Sequence, residues 1–285
     1  MPTSNTIKTF FQGQWHDGNV PVCGSADHGT WLGTLVFDGA RYFEGVTPDL
    51  EAHCNRVNHS AESMGMQPTQ SLESMSDCVE QGLALFAKES AVYIRPMYWS
   101  TGYGDGFISA DPESTEFCLC LQEIPMPAQS VSATLTTTSF HRPTLEVATV
   151  NAKAACLYPN NARMMREAFA KGFTNALVCD SLGNVAESAT SNVFMARDGE
   201  VFTPIPNGSF LNGITRQRII TLLHKLGITV HETTLRYSDF HEADEVFLTG
   251  NLGKVTPVTA FDHTQYEMGA IAAKVRAAYM DWAHS

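Results

Sequence analysis

The stretch Asn151-Ala152-Lys153-Ala154-Ala155-Cys156-Leu157-Tyr158 places a single lysine among small and apolar side chains. It lies where a strand-rich segment passes into a helix that we predict over residues 159–171. Loss of solvation in such surroundings favours the neutral amine of a lysine, so Lys153 is a candidate nucleophile for a Schiff base. Most lysines in apolar stretches, however, extend their ammonium group to water. The stretch alone leaves both interpretations open.

The overall composition is that of a globular protein with an acidic surface. The chain has 285 residues, of which 44% are hydrophobic, and this is enough for two domains with their own cores. Its 18 Lys and Arg residues against 30 Asp and Glu residues give a formal net charge of -12. A nucleic acid or an anionic membrane needs a basic face, so we expect neither as a partner. An anionic ligand would have to be bound by a few local cations and backbone N–H groups.

The cysteines and the apolar runs indicate a cellular compartment. The seven cysteines are odd in number, form no CxxC pair and are spread through apolar runs. This pattern is typical of reduced, buried thiols rather than of a disulfide framework. Residues 1–11 lack the apolar core of a signal peptide, and no apolar run reaches membrane-spanning length. We therefore expect a soluble, cytoplasmic protein, and we assign it no metal site.

Hydrophobic periodicity predicts helices and strands in irregular order in the first part of the chain. A hairpin is expected over residues 7–19, helices over 48–66 and 72–88, and strands over 91–99 and 116–123. The helical spacing of residues 48–66 places Arg56 on a different face from most of the apolar residues of that helix.

A proline-rich segment separates this part from the rest. Pro125 and Pro127 cannot donate to a paired central strand, so we predict a domain at 1–123, a linker at 124–130 and a second domain at 131–285. Strands are expected over 131–138, 175–180, 192–197, 200–203 and 244–248, and helices over 159–171, 214–226 and 268–282. The irregular order of elements predicts an α+β or mixed α/β fold in two domains.

Two glycine-containing segments are candidate anion sites. In Phe210-Leu211-Asn212-Gly213-Ile214-Thr215-Arg216 a glycine opens a helix, whose first-turn amides at Ile214 and Thr215 and the Thr215 hydroxyl are donors for an anion. An ordinary capped helix explains the same residues. The turn Thr249-Gly250-Asn251-Leu252-Gly253 offers further amides, either as a ligand loop or as a plain tight turn.

The segment Ala186-Glu187-Ser188-Ala189-Thr190-Ser191-Asn192 combines a carboxylate with small polar residues. We predict that it lies between two strands, where small side chains let a ligand approach the backbone and Glu187 would face that ligand. A solvated glutamate in a turn is the competing interpretation.

Taken together, these motifs resemble those of the fold-type IV pyridoxal-phosphate enzymes, and the likeness is closest to the branched-chain amino acid aminotransferases. The order and approximate spacing of Lys153, Tyr158, the Glu187 segment, the Gly213 segment and the Thr249 turn match that family. Two upstream segments add to the likeness: Gly33-Thr34-Leu35-Val36-Phe37-Asp38-Gly39-Ala40-Arg41 and Tyr93-Ile94-Arg95-Pro96. The resemblance covers nearly the whole chain.

The resemblance implies a small N-terminal α/β domain, a larger C-terminal pseudo-barrel domain and pyridoxal 5'-phosphate as the cofactor. Lys153 would carry the cofactor as a Schiff base and move the proton during transamination. Glu187 would keep the pyridine nitrogen protonated, and Tyr158 would donate to the phenolate oxygen. The remaining cofactor-binding residues implied are Arg56, Asn192, Ile214, Thr215 and Asn251, with Arg56, the amides and the Thr215 hydroxyl on the phosphate.

For the substrate, the resemblance implies binding of L-branched-chain amino acids and 2-oxoglutarate. Tyr93 and the amides after Gly250, at Leu252, would bind the α-carboxylate. The other substrate residues implied are Phe37 and Gly39 in the side-chain pocket and Arg41 and Arg95 for acidic partners. The two arginines are equally compatible with surface ion pairs, and the two aromatic residues with a plain core.

Several departures from the family pattern leave alternatives open. Ala154 to Leu157 replace a glycine-rich run, Leu32 stands where a tyrosine is common, and Ser191 stands where a glutamate is frequent. A D-amino acid or (R)-amine transaminase, or an aminodeoxychorismate lyase, would share the cofactor residues. A phosphate-ligand binding module is the non-enzymatic alternative. The family also implies a homodimer or higher homo-oligomer.

Overall fold

The computed structural model describes residues 6–267 and 269–285. The chain divides into two compact units. The first consists of Met1–Met126 with Asn151–Cys156, and the second of Pro127–Val150 with Leu157–Ser285. The division predicted above, 1–123, 124–130 and 131–285, differs from this one in the placement of Asn151–Cys156, and as a division into domains it stays a prediction.

The first unit is built on an antiparallel sheet. Its strands are β1 (Ile7–Phe11), β2 (Gln14–Asp17), β3 (Leu35–Phe37), β4 (Ala40–Tyr42), β5 (Val92–Ser100) and β6 (Thr115–Glu123), and its helices are α1 (His28–Trp31), α2 (Leu50–Ser63) and α3 (Leu72–Leu83). Within the described residues the sheet has six strands in the order β2-β1-β6-β5-β3, with β4 also paired to β5.

One face of this sheet is covered by helices. Alternate residues of β5 such as Val92 and Ile94 are fully buried, whereas the residues between them are half-buried. Helix α3 packs so closely that a Cβ atom on Gly82 would lie 2.3 Å from Cη2 of Trp15 and 2.5 Å from Cδ1 of Leu121. The helices therefore cover one face and leave the other face of β5 to polar and aromatic side chains.

The second unit contains the larger sheet. Its strands are β7 (Ala133–Thr137), β8 (Asn175–Cys179), β9 (Val185–Ser188), β10 (Asn192–Arg197), β11 (Glu200–Pro204), β12 (Val230–Thr233), β13 (Glu245–Gly250), β14 (Lys254–Phe261) and β15 (Thr264–Gln265), and its helices are α4 (Tyr158–Ala170), α5 (Ile214–Lys225), α6 (Tyr237–His241) and α7 (Ala270–Ala283). Within the described residues the order is β12-β11-β10-β13-β14-β7-β8-β9, with β15 paired to β14.

The core of the second unit lies on both faces of its central strands. On one face Phe194 of β10 and Phe247 of β13, which are register partners, stack with ring centroids 5.1 Å apart and both side chains fully buried. Helices α5 and α7 pack on this face. On the other face, Val193 and Leu248 belong to a second apolar cluster that includes Phe240 and Phe261. Burial on both faces explains why β10 and β13 are almost continuously apolar.

Most predicted elements are confirmed, and the differences have physical reasons. Helix α3 ends at Leu83 instead of continuing to residue 88, because Leu85 and Phe86 turn the chain through i→i−3 hydrogen bonds before β5 begins. The segment around Glu187 was predicted to lie between strands, but Val185–Ser188 is itself strand β9, paired with β8. Only the reversal at residues 189–191 is a turn.

Three strands were not predicted from the sequence, and the predicted start of the last helix cannot be checked against the structure. Strands β12, β14 and β15 were missed, the first two because their polar residues hide the period of two. The predicted start of the last helix at Met268 lies outside the described residues, and α7 spans Ala270–Ala283.

Three further features bear on the expectations from composition: the state of the cysteines, the length of the helices and the grouping of possible metal ligands. All seven cysteines are free thiols, of which Cys120 is half-buried and Cys23 and Cys156 are exposed. The prediction of buried thiols is therefore wrong for Cys23 and Cys156. Over residues 6–267 and 269–285, no helix combines the length and the apolar character needed to cross a bilayer. In the same residues no group of three or more His, Cys, Asp or Glu side chains could hold a metal ion.

The stacked pair in the second unit gives a stability prediction. Replacing Phe194 with Ala should lower the free energy of unfolding by about 3–5 kcal/mol. The change removes a fully buried ring and leaves a cavity beside Phe247 that the surrounding side chains fill only in part. Urea unfolding followed by circular dichroism measures the change. Phe169→Ala is the matched control, since this side chain on α4 is 59% exposed and should cost less than about 1 kcal/mol. Equal losses for the two variants would contradict the prediction.

Candidate active site

The lysine segment is fixed to the first unit through its backbone. Ala154 forms an antiparallel bridge with Val36, and the amide of Phe37 donates to the carbonyl of Lys153 over 3.1 Å. On the other side, the amide of Lys153 donates to Oγ of Ser60 on α2 over 3.0 Å. The peptide groups on both sides of the Lys153 side chain are therefore anchored, to β3 and to α2.

The Lys153 side chain lies over an aromatic ring. Its flanking residues Ala152 and Ala154 are fully buried, Lys153 itself is half-buried, and Nζ lies 5.0 Å from the centroid of the Phe37 ring. The small neighbours leave the long side chain as the reactive group of the segment. Phe37, which the sequence suggested for the substrate pocket, is thus in contact with the candidate nucleophile.

Next to Phe37, a buried carboxylate binds two basic side chains. Asp38 is fully buried and accepts from Nε of Arg56 at 2.6 Å, from Nη2 of Arg56 at 2.8 Å and from Nδ1 of His53 at 2.7 Å. Burial by itself raises the pKa of Asp38, but the charge and hydrogen bonds of Arg56, together with His53, outweigh burial and hold the pKa well below its ordinary range. The carboxylate is therefore ionised at neutral pH. Its contribution to stability is present above the ordinary aspartate pKa and is lost as the pH falls toward the lowered value.

The substrate residues suggested by the sequence share one face of the small sheet. Arg41 is the register partner of Tyr93, and Phe37 is the register partner of Met97, while Arg95 lies two residues from each of Tyr93 and Met97 on β5. The Arg95 guanidinium lies 5.1 Å from the centroid of the Tyr93 ring. Four of these predicted residues, namely Phe37, Arg41, Tyr93 and Arg95, are therefore neighbours on the face that the helices do not cover.

Glycine is required at position 39 of this face. A Cβ atom on Gly39 would lie 2.0 Å from the hydroxyl oxygen of Tyr93, so no other residue fits without moving that hydroxyl. The Gly39–Tyr93 contact explains the Asp-Gly step that follows β3.

The Arg41 guanidinium is buried with part of its donor capacity unused. Its Nη2 donates to the carbonyl of Ile124 over 2.6 Å and contacts Sδ of Met126 at 3.0 Å, whereas Nε and Nη1 have no hydrogen-bond partner in the described part of the chain. Burial lowers the pKa of Arg41 to about 10, with Tyr93 acting in the opposite direction. A buried cation with two unused N–H positions fits an anionic group.

In the second unit, Glu187 is held by an arginine that sequence reasoning missed. Nε of Arg142 lies 3.1 Å from Oε1 of Glu187, although its N–H direction makes no aligned hydrogen bond. The rest of the guanidinium is tied to Asn161 and to the carbonyls of Ser188 and Ala189. Arg142 thus places a fixed positive charge beside the Glu187 carboxylate. No sequence motif around Arg142 indicated this, because its partners lie in other segments.

Asn192 connects Glu187 to the start of α5. Its Nδ2 donates to the carbonyl of Leu211 over 3.0 Å and lies 3.4 Å from Oε2 of Glu187. A Cβ atom on Gly213 would lie 2.1 Å from Oδ1 of Asn192, so glycine is required at this helix start. Gly213 is the N-cap and provides no side-chain oxygen for the first-turn amides. The amides of Ile214 and Thr215 therefore belong to a helix end without a side-chain cap, as an anion site requires.

The turn after β13 adds unused donors in the same unit. Thr249 is the register partner of Asn192, and its buried Oγ1 has no hydrogen-bond partner within the described residues. Among those residues Nδ2 of Asn251 likewise has none, while Oδ1 of Asn251 accepts from Nζ of Lys254 over 2.7 Å. The predicted Leu252 is 51% exposed, and Tyr158, the first residue of α4, is 37% exposed.

The structure thus groups the predicted residues within each unit. In the first unit, Lys153, Arg56, Gly39 and the sheet-face residues all adjoin the segment from Phe37 to Arg41. In the second unit, Asn192 adjoins Glu187, the Gly213 helix start and Thr249. The residues missed from sequence are Asp38, His53, Arg142 and Thr249. Asp38 and Thr249 lie inside motifs quoted in the sequence analysis, so their positions could have indicated a role in the site. No motif contains His53 or Arg142.

Comparison with known proteins places this arrangement in a family. The profile described as "Amino-transferase class IV" matches residues 35–261. A branched-chain-amino-acid aminotransferase of Pseudomonas aeruginosa is 30% identical over 283 residues, which cover 94% of this chain and 89% of that protein. The profile match begins at Leu35, within the first of the upstream motifs, and contains the Lys153, Glu187, Gly213 and Thr249 segments.

Two solved structures share the fold. An aminotransferase from Brucella abortus bound to the cofactor PLP has a TM-score of 0.97 and 56% identity, and the match covers 98% of this chain and 100% of that one. A branched-chain aminotransferase from Thermoproteus uzoniensis with norvaline has a TM-score of 0.88 and 26% identity, with 96% of this chain and 94% of that one covered.

These matches confirm the predicted fold class and the resemblance on which it was based. The profile spans well over half of the chain, and the relatives align with it almost from end to end. The protein belongs to the class IV aminotransferase family.

Proposed function

We propose that the protein transfers the amino group of L-branched-chain amino acids to 2-oxoglutarate, with pyridoxal 5'-phosphate as its cofactor. Membership in the class IV aminotransferases gives the reaction type and the cofactor. The observation that carries the proposal for this chain is Lys153, whose backbone is anchored on both sides and whose amine lies over Phe37.

The residues present fit the cofactor chemically. Pyridoxal phosphate requires an amine for its aldehyde, a carboxylate for its ring nitrogen and several donors for its phosphate. Lys153 and Glu187 supply the first two. For the phosphate, the second unit has an uncapped helix start at Gly213 and unused buried donors on Thr249 and Asn251 within the residues described. Such donors, each costly when left without a partner, are expected at an anion site.

When bound, the cofactor supplies an aldehyde that condenses with amines and a ring that withdraws electrons. In the proposed mechanism, Nζ of Lys153 would hold the cofactor and would accept the proton from the α-carbon of the substrate. The anchored backbone leaves the four-carbon side chain as the moving part, so the amine returns to the same position in each half-reaction. Tyr158 would donate its hydroxyl hydrogen to the phenolate oxygen of the cofactor.

Glu187 holds a proton on the ring nitrogen in this mechanism. Nε of Arg142 lies 3.1 Å from Oε1 of this carboxylate, and Nδ2 of Asn192 lies 3.4 Å from Oε2. Arg56, the amides of Ile214 and Thr215, and Asn251 bind the phosphate. A guanidinium and helix-start amides are the kinds of donor that a phosphate requires in a protein of net charge -12.

The substrate assignment rests on the face of the first unit's sheet that the helices do not cover. Phe37 and Gly39 would line the pocket for an apolar side chain, and Tyr93 and the amide of Leu252 are the proposed ligands of the α-carboxylate. Arg41 and Arg95 bind the second carboxylate of 2-oxoglutarate. The unused Nε and Nη1 of buried Arg41 support this role, since an anion would satisfy them.

The proposal extends to assembly and location. Trp31 and Phe107 of the first unit are 53% and 67% exposed, and their ring centroids lie 6.1 and 5.1 Å from that of Tyr103. Together with Ile108, which is 74% exposed, these apolar side chains support a homodimer, because exposed apolar groups of this kind mark interaction sites. The free thiols support a cytoplasmic location.

A half-reaction screen tests the function. Mixing the cofactor-loaded enzyme with L-leucine, L-isoleucine or L-valine should convert its absorbance from the aldehyde form to the amine form, and 2-oxoglutarate should reverse the change. D-Amino acids and (R)-amines should react at least about 100-fold more slowly, a difference of roughly 3 kcal/mol in the barrier. Faster reaction with D-amino acids would select the D-amino acid alternative. Lys153→Ala is the control and should show no catalytic conversion.

The role of Glu187 predicts a selective loss of rate. Glu187→Gln keeps the shape but cannot hold the ring-nitrogen proton by charge, so kcat should fall by roughly 100-fold while cofactor affinity changes by less than about 10-fold. Stopped-flow rates and a cofactor titration measure the two effects. Glu242→Gln, which removes an exposed carboxylate, should leave both unchanged. An unaltered rate in Glu187→Gln would remove the assigned role.

The role of Arg56 predicts a loss of selectivity for the phosphate group. We define the phosphate selectivity as the Kd of pyridoxal divided by the Kd of pyridoxal phosphate, measured on the full chain stripped of cofactor. Arg56→Ala should lower it by about 10- to 100-fold, as expected for lost charge-assisted hydrogen bonds. Partial unfolding affects both ligands equally and cancels in the ratio. The control Arg197→Ala should keep the selectivity of the unmodified protein, and an unchanged value in Arg56→Ala would place the phosphate elsewhere.

A further inference from the structure

We propose that Asp38 and His53 are positioning residues for phosphate recognition. In this proposal the buried Asp38 carboxylate, itself anchored by His53, fixes the Arg56 guanidinium in the orientation that meets the cofactor phosphate. The inference rests on the proposed function, in which Arg56 binds that phosphate.

The geometry around Asp38 is fully determined by hydrogen bonds. Its Oδ1 accepts from the amide of Gly39 at 2.7 Å, from Nδ1 of His53 at 2.7 Å and from Nη2 of Arg56 at 2.8 Å, and its Oδ2 accepts from Nε of Arg56 at 2.6 Å. A carboxylate has only acceptors, so Nδ1 of His53 must carry the hydrogen. Three donors on Oδ1 and one on Oδ2 leave the group no freedom to rotate.

The pairing with Arg56 is of the forked type. Nε–H and one Nη2–H face the two carboxylate oxygens in parallel, which fixes the plane of the guanidinium as well as its position. The guanidinium is planar, so the two N–H groups of Nη1 and the second N–H group of Nη2 point away from the carboxylate. A phosphate bound by Arg56 would meet that opposite edge, whose direction is set by Asp38.

Helix α2 brings both basic side chains to the carboxylate. His53 and Arg56 are three residues apart on α2, a spacing that puts side chains on the same side of a helix. His53 is 3% exposed, and the Arg56 side chain is 18% exposed, so one partner is sealed in the core while the other reaches its surface. His53 thus anchors the carboxylate from inside, and Arg56 is the member that a ligand can approach.

A purely structural ion pair would not need this arrangement. A buried pair often stabilises no better than apolar residues of the same volume. A long arginine side chain, by contrast, loses conformational freedom whenever it binds a ligand, and holding it in place beforehand removes that loss from the binding step. The carboxylate therefore contributes by orientation, even though its charge opposes that of the phosphate.

The test measures the phosphate selectivity defined above. Asp38→Asn keeps the size but loses the charge and part of the acceptor capacity, so the selectivity should fall by about 10-fold, the lower end of what is typical when a group that orients a binding residue is lost. In the Arg56→Ala background the same change should have no further effect, because the group to be oriented is absent. Glu51→Gln, an exposed carboxylate on the same helix, should leave the selectivity unchanged.

A second pair of variants covers the case in which Asp38→Asn does not fold. His53→Leu removes the inner anchor and should lower the selectivity by roughly 3-fold, whereas His53→Asn places an amide donor near Nδ1 and should restore most of it. A general loss of stability would weaken binding of pyridoxal and pyridoxal phosphate alike and leave the selectivity unchanged.

The outcomes separate the inference from the function on which it rests. A lower selectivity in Arg56→Ala with an unchanged one in Asp38→Asn and His53→Leu would overturn the positioning role and keep Arg56 on the phosphate. An unchanged selectivity in Arg56→Ala would overturn the phosphate role itself, and the positioning role with it. Equal effects of Asp38→Asn with and without Arg56 would also overturn the inference, since the two residues would then act independently.

Discussion

A carboxylate without access to water must be surrounded by donors, and this constraint organises the first unit. Asp38 satisfies it with Gly39, His53 and Arg56, which ties the end of β3 to helix α2. The residues on each side of Asp38 carry the other essential contacts. The amide of Phe37 binds the carbonyl of Lys153, and Gly39 lies against the Tyr93 hydroxyl. The tripeptide from Phe37 to Gly39 thus sets the positions of the candidate nucleophile and of the proposed phosphate and substrate ligands Arg56 and Tyr93.

The second unit depends on a comparable use of one polar side chain. Asn192 is 6% exposed and connects the Glu187 strand, the loop before α5 and, through its register partner, Thr249. Because glycine alone fits next to its amide oxygen at position 213, the start of α5 cannot have a side-chain cap. The close packing of Asn192 against position 213 therefore requires glycine there, and the same glycine leaves the helix without a side-chain cap. A helix start of this kind is suited to bind an anion from outside the protein.

Sequence reasoning succeeded where the relevant physics is local. The apolar spacing in α2 and α5, the prolines after β6 and the glycine before α5 each act within a few residues, and the corresponding elements were predicted. It failed at β9, where Glu187, Ser188 and the small residues after them suggested a turn. That stretch is a strand because β8 pairs with it, and pairing with a distant segment overrides a weak local preference.

By itself, the sequence determined the mixed α/β class, the family and the residue types that the chemistry requires: one lysine among alanines, a glutamate among small residues and a glycine-led helix. Only the tertiary structure decided which charges are paired. Asp38 and Arg56 are 18 residues apart, and no sequence pattern around Arg142 or Glu187 indicates that the two are paired. Periodicity and turn chemistry are written in neighbouring residues, whereas the partner of a buried charge depends on which segments the packed core brings within hydrogen-bond distance.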